Sequence, residues 1–335
     1  MFFVFSGKQH MLIKMEEGLD AYRQKGDLLA DELMQKLFDK HEHKLGSILM
    51  PFLSDFDNYG FSEQDDETIA FFENNQSLPP FYDLKEIVRA TEFFKKYQAS
   101  IGIILGCYSL PYCYLGEDGA RVLGFSGRIQ HDTYNRLLET GKFVKNVMTQ
   151  RFWEEKTVTI LILKVRLMHA FWRFMILKSG KWDMKWGVPI NQEDMLGTNL
   201  SFSLIVLRGL RKLGVEVDSV FEKAYYHHWA VVGSFLGLEK ELLVFDVHKA
   251  IKFDKAIAKR QFRSSEIGKL LTASLGNSYQ KMANNELATG YFVAQTRYLL
   301  GENYADLLGL PISKYPKNLL KTINNTTSFL SNIYG

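Results

Sequence analysis

The sequence predicts an all-α protein built as a single large helical domain, and three observations carry that prediction. Apolar residues recur at the three- and four-residue spacing of a helix face in several long segments. Strict apolar–polar alternation is scarce, and the run "ELLVF" (241–245) is too short to define a strand. The 335 residues are 46% hydrophobic and 14% aromatic, enough for a large core, without a repeat or low-complexity tract.

The elements follow in order. "LLADELMQKLFDKH" (28–41) places Leu29, Leu33, Leu37 and Phe38 along one face. Residues 54–80 are rich in Asp, Asn, Gly and Pro and read as a surface connection. After Pro79–Pro80, Asp83 is a plausible N-cap for "LKEIVRATEFFKKYQASIGIILG", whose second half is apolar and should enter the interior. The run 158–177 is apolar on nearly every side, as expected of a central helix. A helix should start at Asn191, before Gln-Glu-Asp, and stop at Gly214. "SVFEKAYYHHWAVVGSFLG" and "ATGYFVAQTRYLLG" complete the helical set. The glycines of "GKFVK" and "LGFSGR" read as turn markers. These signals divide the chain into an N-terminal helical extension (1–85), a continuous helical domain (86–312) and a C-terminal tail (313–335).

Bulk charge excludes little. The 41 basic and 38 acidic residues nearly cancel at +3, and no basic stripe interleaved with aromatics suggests nucleic acid. Cys107 and Cys113 have neither zinc nor redox-pair spacing and read as small buried hydrophobes. "MFFVFSGKQH" lacks the basic flank and cleavage site of a secretory signal, so a cytoplasmic location is expected. A membrane span needs about twenty largely uncharged residues. The longest apolar run contains Lys164, Arg166, His169 and Arg173, and so reads as buried in a soluble protein.

Those cations raise the functional question. Arg166, His169 and Arg173 are three and four positions apart, hence on one helix face. A buried guanidinium needs an anion. Two carboxylates of one ligand would serve, and haem combines them with an iron for the imidazole and an apolar macrocycle. Alternatively, both arginines pair with Asp or Glu on neighbouring helices, and His169 is a hydrogen-bonded core residue. Other metal readings are weaker. No paired Glu-x-x-His elements support a di-iron site. His41 and His43 sit in a charged helix end, and His227 and His228 point different ways from one helix. No GxSxG, P-loop or dinucleotide fingerprint is evident.

Six stretches in order resemble the haem-dependent oxygenase family of the latex clearing proteins (rubber oxygenases) and the fungal oxygenase MpaB. They are "SLPYCYLGEDGARVLGFSGRI" (109–129), "RLLETGKFV" (136–144), "KVRLMHAFWR" (164–173), "WGVPINQEDMLGTNLSF" (186–202), "WAVVGSFLGL" (229–238) and "RYLLGENYADLLGLP" (297–311). The resemblance implies a globin-like helical core in residues 86–312 holding one haem b, with His169 as axial iron ligand. It also implies O2-dependent cleavage or oxygenation of C=C bonds in a hydrophobic, isoprenoid or lipid-like substrate. Arg166 and Arg173 would serve the cofactor, while Arg136 and Thr140 would lie on the distal side. Glu117, with Asp118 beside it shortly before "ARVL", is the candidate distal base. The position before the threonine is Glu139, where some relatives carry an iron-capping lysine, so no lysine-capped resting state is implied. A non-catalytic haem or hydrophobic-ligand binder of the same fold is the alternative. Beyond O2 and a small apolar substrate, a peripheral membrane contact is compatible with this reading, and no obligate protein partner is inferred.

Overall fold

The computed structural model describes residues 18–125, 133–283, 287–316 and 320. A short first helix, α1 (18–23), is followed by α2 (Leu28–His41), α3 (Leu45–Ser54) and α4 (Asp66–Asn75). The long α5 (Leu84–Ile104) runs through a π-helical turn, Leu105–Ser109, into α6 (Leu110–Tyr114). Then come α7 (Glu117–Phe125), α8 (Thr133–Val147), α9 (Gln150–Glu154) and α10 (Thr157–Lys178). The chain continues with α11 (Gln192–Phe202), α12 (Leu204–Lys212), α13 (Ser219–Phe235) and α14 (Val247–Gln261). It closes with α15 (Glu266–Ala283), α16 (Leu287–Leu300) and α17 (Glu302–Leu307). Among the described residues there is no strand, only an isolated bridge between Gly116 and Phe262. The all-α prediction holds.

Local chemistry sets many boundaries. Asp83 starts α5 by accepting from Lys85 N at 2.8 Å, and Asn191 starts α11 by accepting from Asp194 N at 2.9 Å. Gly214 follows α12 at φ 83°, a left-handed stop that favours glycine. Three expectations differ from what is seen. The supposed connection 54–80 contains α4, whose Phe71 and Phe72 are buried and whose first turn carries Asp66 and Glu67. The helix expected from 191 to 214 breaks at Ser203, whose hydroxyl donates back to Asn199 O at 2.9 Å, a contact that bends helices. Gly141 and Gly124, read as turn markers, lie inside α8 and α7; an added Cβ at Gly141 would meet nothing within 4 Å. The glycine of "SGR" lies outside the described residues.

α10 is the central element. It packs on α2, α3 and α4 on one side and on α8, α9 and α13 elsewhere, while α8 also reaches α15. Leu33 and Leu37 of α2, Leu53 of α3 and Phe72 of α4 belong to the same apolar cluster as Leu163, Trp229 and Phe292. Buried residues of α2, α3 and α4 thus share one apolar core with the later helices. No described helix is long and apolar enough to cross a membrane.

Candidate functional site

At about 100° per residue, Arg166 and Arg173 fall roughly 20° apart around α10, with His169 about 40–60° further round. The structure separates these neighbouring sectors. Both arginines turn to the start of α2. Arg166 makes a two-point contact with Asp27, Nε to Oδ2 at 2.5 Å and Nη2 to Oδ1 at 2.8 Å, and reaches Asn75 Oδ1 at 3.3 Å. Arg173 pairs with Asp31 and donates to Pro189 O at 2.9 Å and Ile190 O at 2.8 Å. Both guanidiniums are buried, so the anions they require are supplied by the chain itself. Of the two alternatives open from the sequence, carboxylates of a bound ligand or carboxylates of a neighbouring helix, the fold supplies the second for both arginines through Asp27 and Asp31.

Two glycines make these pairs possible. Gly237 has φ 85°, and a Cβ there would lie 2.3 Å from Asp27 Oδ2 and 2.8 Å from Arg166 Nε. At Gly26 a Cβ would lie 2.5 Å from Asp31 Oδ2 and 3.0 Å from Arg173 Cδ. Each ion pair is pressed against a backbone that admits no side chain.

His169 occupies a different surface of α10. Val165, Met168, His169 and Trp172 are partly exposed, while Leu161 and Ile176, in the same sector toward either end, are buried. The helix therefore presents an apolar stripe, open only in its middle, with one imidazole in it. His169 Nδ1 is buried without a hydrogen-bond partner. Burial, reinforced by the Arg173 charge and opposed by Asp27, pushes the His169 pKa down to about 4. The ring is neutral at pH 7 and keeps a lone pair. Among the described residues no carbonyl or carboxylate receives Nδ1.

The remaining sequence candidates sit on α8 and α7. Arg136 and Thr140 lie one turn apart on the partly exposed side of α8, which packs against α10. Thr140 donates its hydroxyl to Arg136 O at 2.9 Å, leaving it as an acceptor toward anything else. Arg136 lies near enough to Tyr114 for its charge to oppose the burial that raises that phenol to about 12. Glu139 is exposed. Glu117 is engaged at both oxygens, Oε1 by Arg121 and Oε2 by Arg263, each at 2.5 Å. As a base it would first have to leave two ion pairs. No group of three or more His, Cys, Asp or Glu with metal-holding geometry occurs among the described residues.

Several residues escaped the sequence reading. Asp27 and Asp31 were invisible as partners because 139 and 142 positions separate them from Arg166 and Arg173. Around the π-helical turn, Cys107 Sγ approaches Tyr279 Oη at 3.8 Å, and a Cβ on Gly106 would stand 1.6 Å from that hydroxyl. Burial raises the thiols of Cys107 and Cys113 to about 12 and about 11, consistent with small interior side chains. π-Helical turns frequently mark functional sites, and "LGCYS" held the only local hint, a glycine amid large residues. His228 is wholly buried against Trp153. His41 instead meets Asp65 at 2.9 Å, as a solvated helix end would.

Comparison with known proteins agrees with this architecture. Residues 116–324 match the family described as ER-bound oxygenase mpaB/B'/rubber oxygenase, catalytic domain. A rubber oxygenase of Streptomyces sp. (strain K30) is 23% identical over 257 residues, spanning 75% of this chain. The chain spans 62% of the length of that relative. The structure of latex clearing protein LCP in its closed state superposes with a TM-score of 0.79 at 20% identity, covering 93% of this chain and 85% of that one. With an all-α core around α10 and most of its length matched in order, the chain belongs to the mpaB/rubber oxygenase catalytic-domain family.

Proposed function

We propose that the protein is a haem b-dependent oxygenase that uses O2 to cleave or oxygenate C=C bonds in a hydrophobic, isoprenoid or lipid-like substrate. The observation that carries this reading is the neutral imidazole of His169, with an unpartnered buried nitrogen, set in the partly exposed apolar stripe of α10. That combination fits a haem: a neutral nitrogen donor for iron, and Val165, Met168 and Trp172 for an apolar macrocycle. The family named for such oxygenases supports the same class of chemistry.

When bound, the haem supplies an iron centre at which O2 is activated toward an alkene. The chain's own residues do the rest. His169 offers its lone pair because burial keeps it unprotonated. Asp27 and Asp31 absorb the charge of Arg166 and Arg173, leaving the stripe beside His169 apolar. Arg136 provides the positive, hydrogen-donating group of α8 toward developing negative charge. Thr140 accepts a proton donor at the same level. Buried Phe143 and Val144 close the next turn of α8 against water. An alkene offers no hydrogen bond, so its recognition rests on burial and shape.

A second reading has a specific observation in its favour. Glu117 is tied up at both oxygens and Thr140 has committed its proton, leaving no free base on α7 or α8 among the sequence candidates. A non-catalytic haem or hydrophobic-ligand binder would need none. The test is the visible spectrum of protein expressed with haem supply, compared with His169→Ala. A Soret band lost in the variant is expected, and no band in the wild type overturns the haem reading. Dithionite-reduced protein that binds haem but never consumes O2 with isoprenoid or unsaturated lipid alkenes selects the binder.

A further inference from the structure

We infer that Asp27 and Asp31, outside the segment that matches the family model, are positioning residues for His169, clamping α10 through Arg166 and Arg173 on either side of it. The inference rests on the proposed haem reading for its functional meaning, but its geometry stands alone. His169 lies three residues after one clamped arginine and four before the other. Asp27 is the residue that caps α2, and Asp31 lies in the first turn of that helix, so one rigid element grips α10 at two points one turn to either side of the imidazole.

The grip has little slack. Asp27 takes Arg166 with both oxygens, which fixes the plane of the guanidinium as well as its distance. Arg173 is held from three directions, by Asp31, Pro189 O and Ile190 O. Gly237 and Gly26 bring backbone against both pairs, where no side chain would fit. Rotating α10 to swing His169 would break contacts at both ends together. The same N-terminal segment is itself moored: Arg23 bonds Glu193 at 3.1 Å and Asp194 at 3.0 Å, and Gln192 donates to Gly26 O at 2.9 Å. The extension thereby completes the site, which residues 116–324 cannot do alone.

The experiment compares Asp31→Asn, Asp27→Asn and the uncharged pair Asp27→Asn with Arg166→Gln against Leu33→Ala. The last loses buried contact on α2 without touching the clamp. In full-length protein, the clamp variants should weaken haem binding at least about tenfold, the range seen when supporting groups of metal ligands are removed, and shift the Soret maximum. Leu33→Ala should keep the wild-type affinity and spectrum while lowering thermal stability. Wild-type haem affinity and spectrum in both Asp31→Asn and the uncharged pair overturn the inference. If wild-type protein binds no haem, the functional reading fails separately. The His169 ring resonances then decide by NMR: shifts in Asp31→Asn but not Leu33→Ala support the clamp, and unmoved resonances overturn it.

Discussion

Breaking the Arg166–Asp27 pair by replacing one partner should be far more damaging than replacing both. The pair is buried, with Arg166 9% and Asp27 6% exposed. Removing one partner of such a pair leaves an uncompensated interior charge and costs about 3–5 kcal/mol. Arg166→Met strands the Asp27 carboxylate and also surrenders the contact with Asn75. Asp27→Asn strands the guanidinium but keeps a side-chain acceptor for the start of α2, where Asp27 now accepts from Ala30 N at 3.4 Å. That contact is long, so the cap accounts for no more than about 1 kcal/mol. The double variant has neither charge and loses mainly packing. Chemical denaturation of all four proteins at pH 7 gives the cycle. Each single should lose about 3–4 kcal/mol, and the double should fall short of their sum by about 2–3 kcal/mol. Additive losses, or singles costing under about 1 kcal/mol, would refute the claim that the chain's own carboxylates neutralise the central helix.

Three other outcomes follow from the same geometry. Burial pushes His228 down to about 3, so as pH drops below the unfolded pKa of about 6.5 the unfolded chain takes up a proton that the folded chain refuses, and stability decreases. One such histidine costs about 2 kcal/mol between pH 7 and pH 5, and His228→Phe should remove that share of the loss in denaturation curves, leaving the share of His169 and the slope above pH 7 unchanged. Glu117→Gln should shift stability by under about 1 kcal/mol, because its partners are partly solvated, and leave O2 uptake intact; a hundredfold loss of uptake at wild-type stability would restore Glu117 as a base. Gly106→Ala should lower the melting temperature by displacing Tyr279, and adding Tyr279→Phe should recover part of the loss, since the 1.6 Å clash is with the hydroxyl alone while the ring carbon behind it stands at 2.8 Å. No recovery would mean that the π-helical turn itself, not the phenol, resists the substitution.

The features legible in the residues alone are local or periodic. The apolar run 158–177 had to be a central helix, and α10 is one. Asp83 and Asn191 announced their helices because a cap acts within three residues. Arg166, His169 and Arg173 were certain to share one side of the helix, since their spacing leaves no other choice. The resemblance of "KVRLMHAFWR" to an element of the mpaB/rubber oxygenase family added a chemical meaning that periodicity alone could not supply. Tertiary structure decided what each of the three faces. Asp27 and Asp31 meet the arginines because α2 folds onto α10 across 139 and 142 positions of chain, a distance over which no local propensity acts. The same packing sets Leu33 and Leu37 of α2 and Phe72 of α4 in the common core. Within one helix face, contacts with α2 took the two guanidinium charges and left His169 a neutral ring on an apolar stripe, because a buried charge must be met by an anion or by hydrogen-bonding groups within reach.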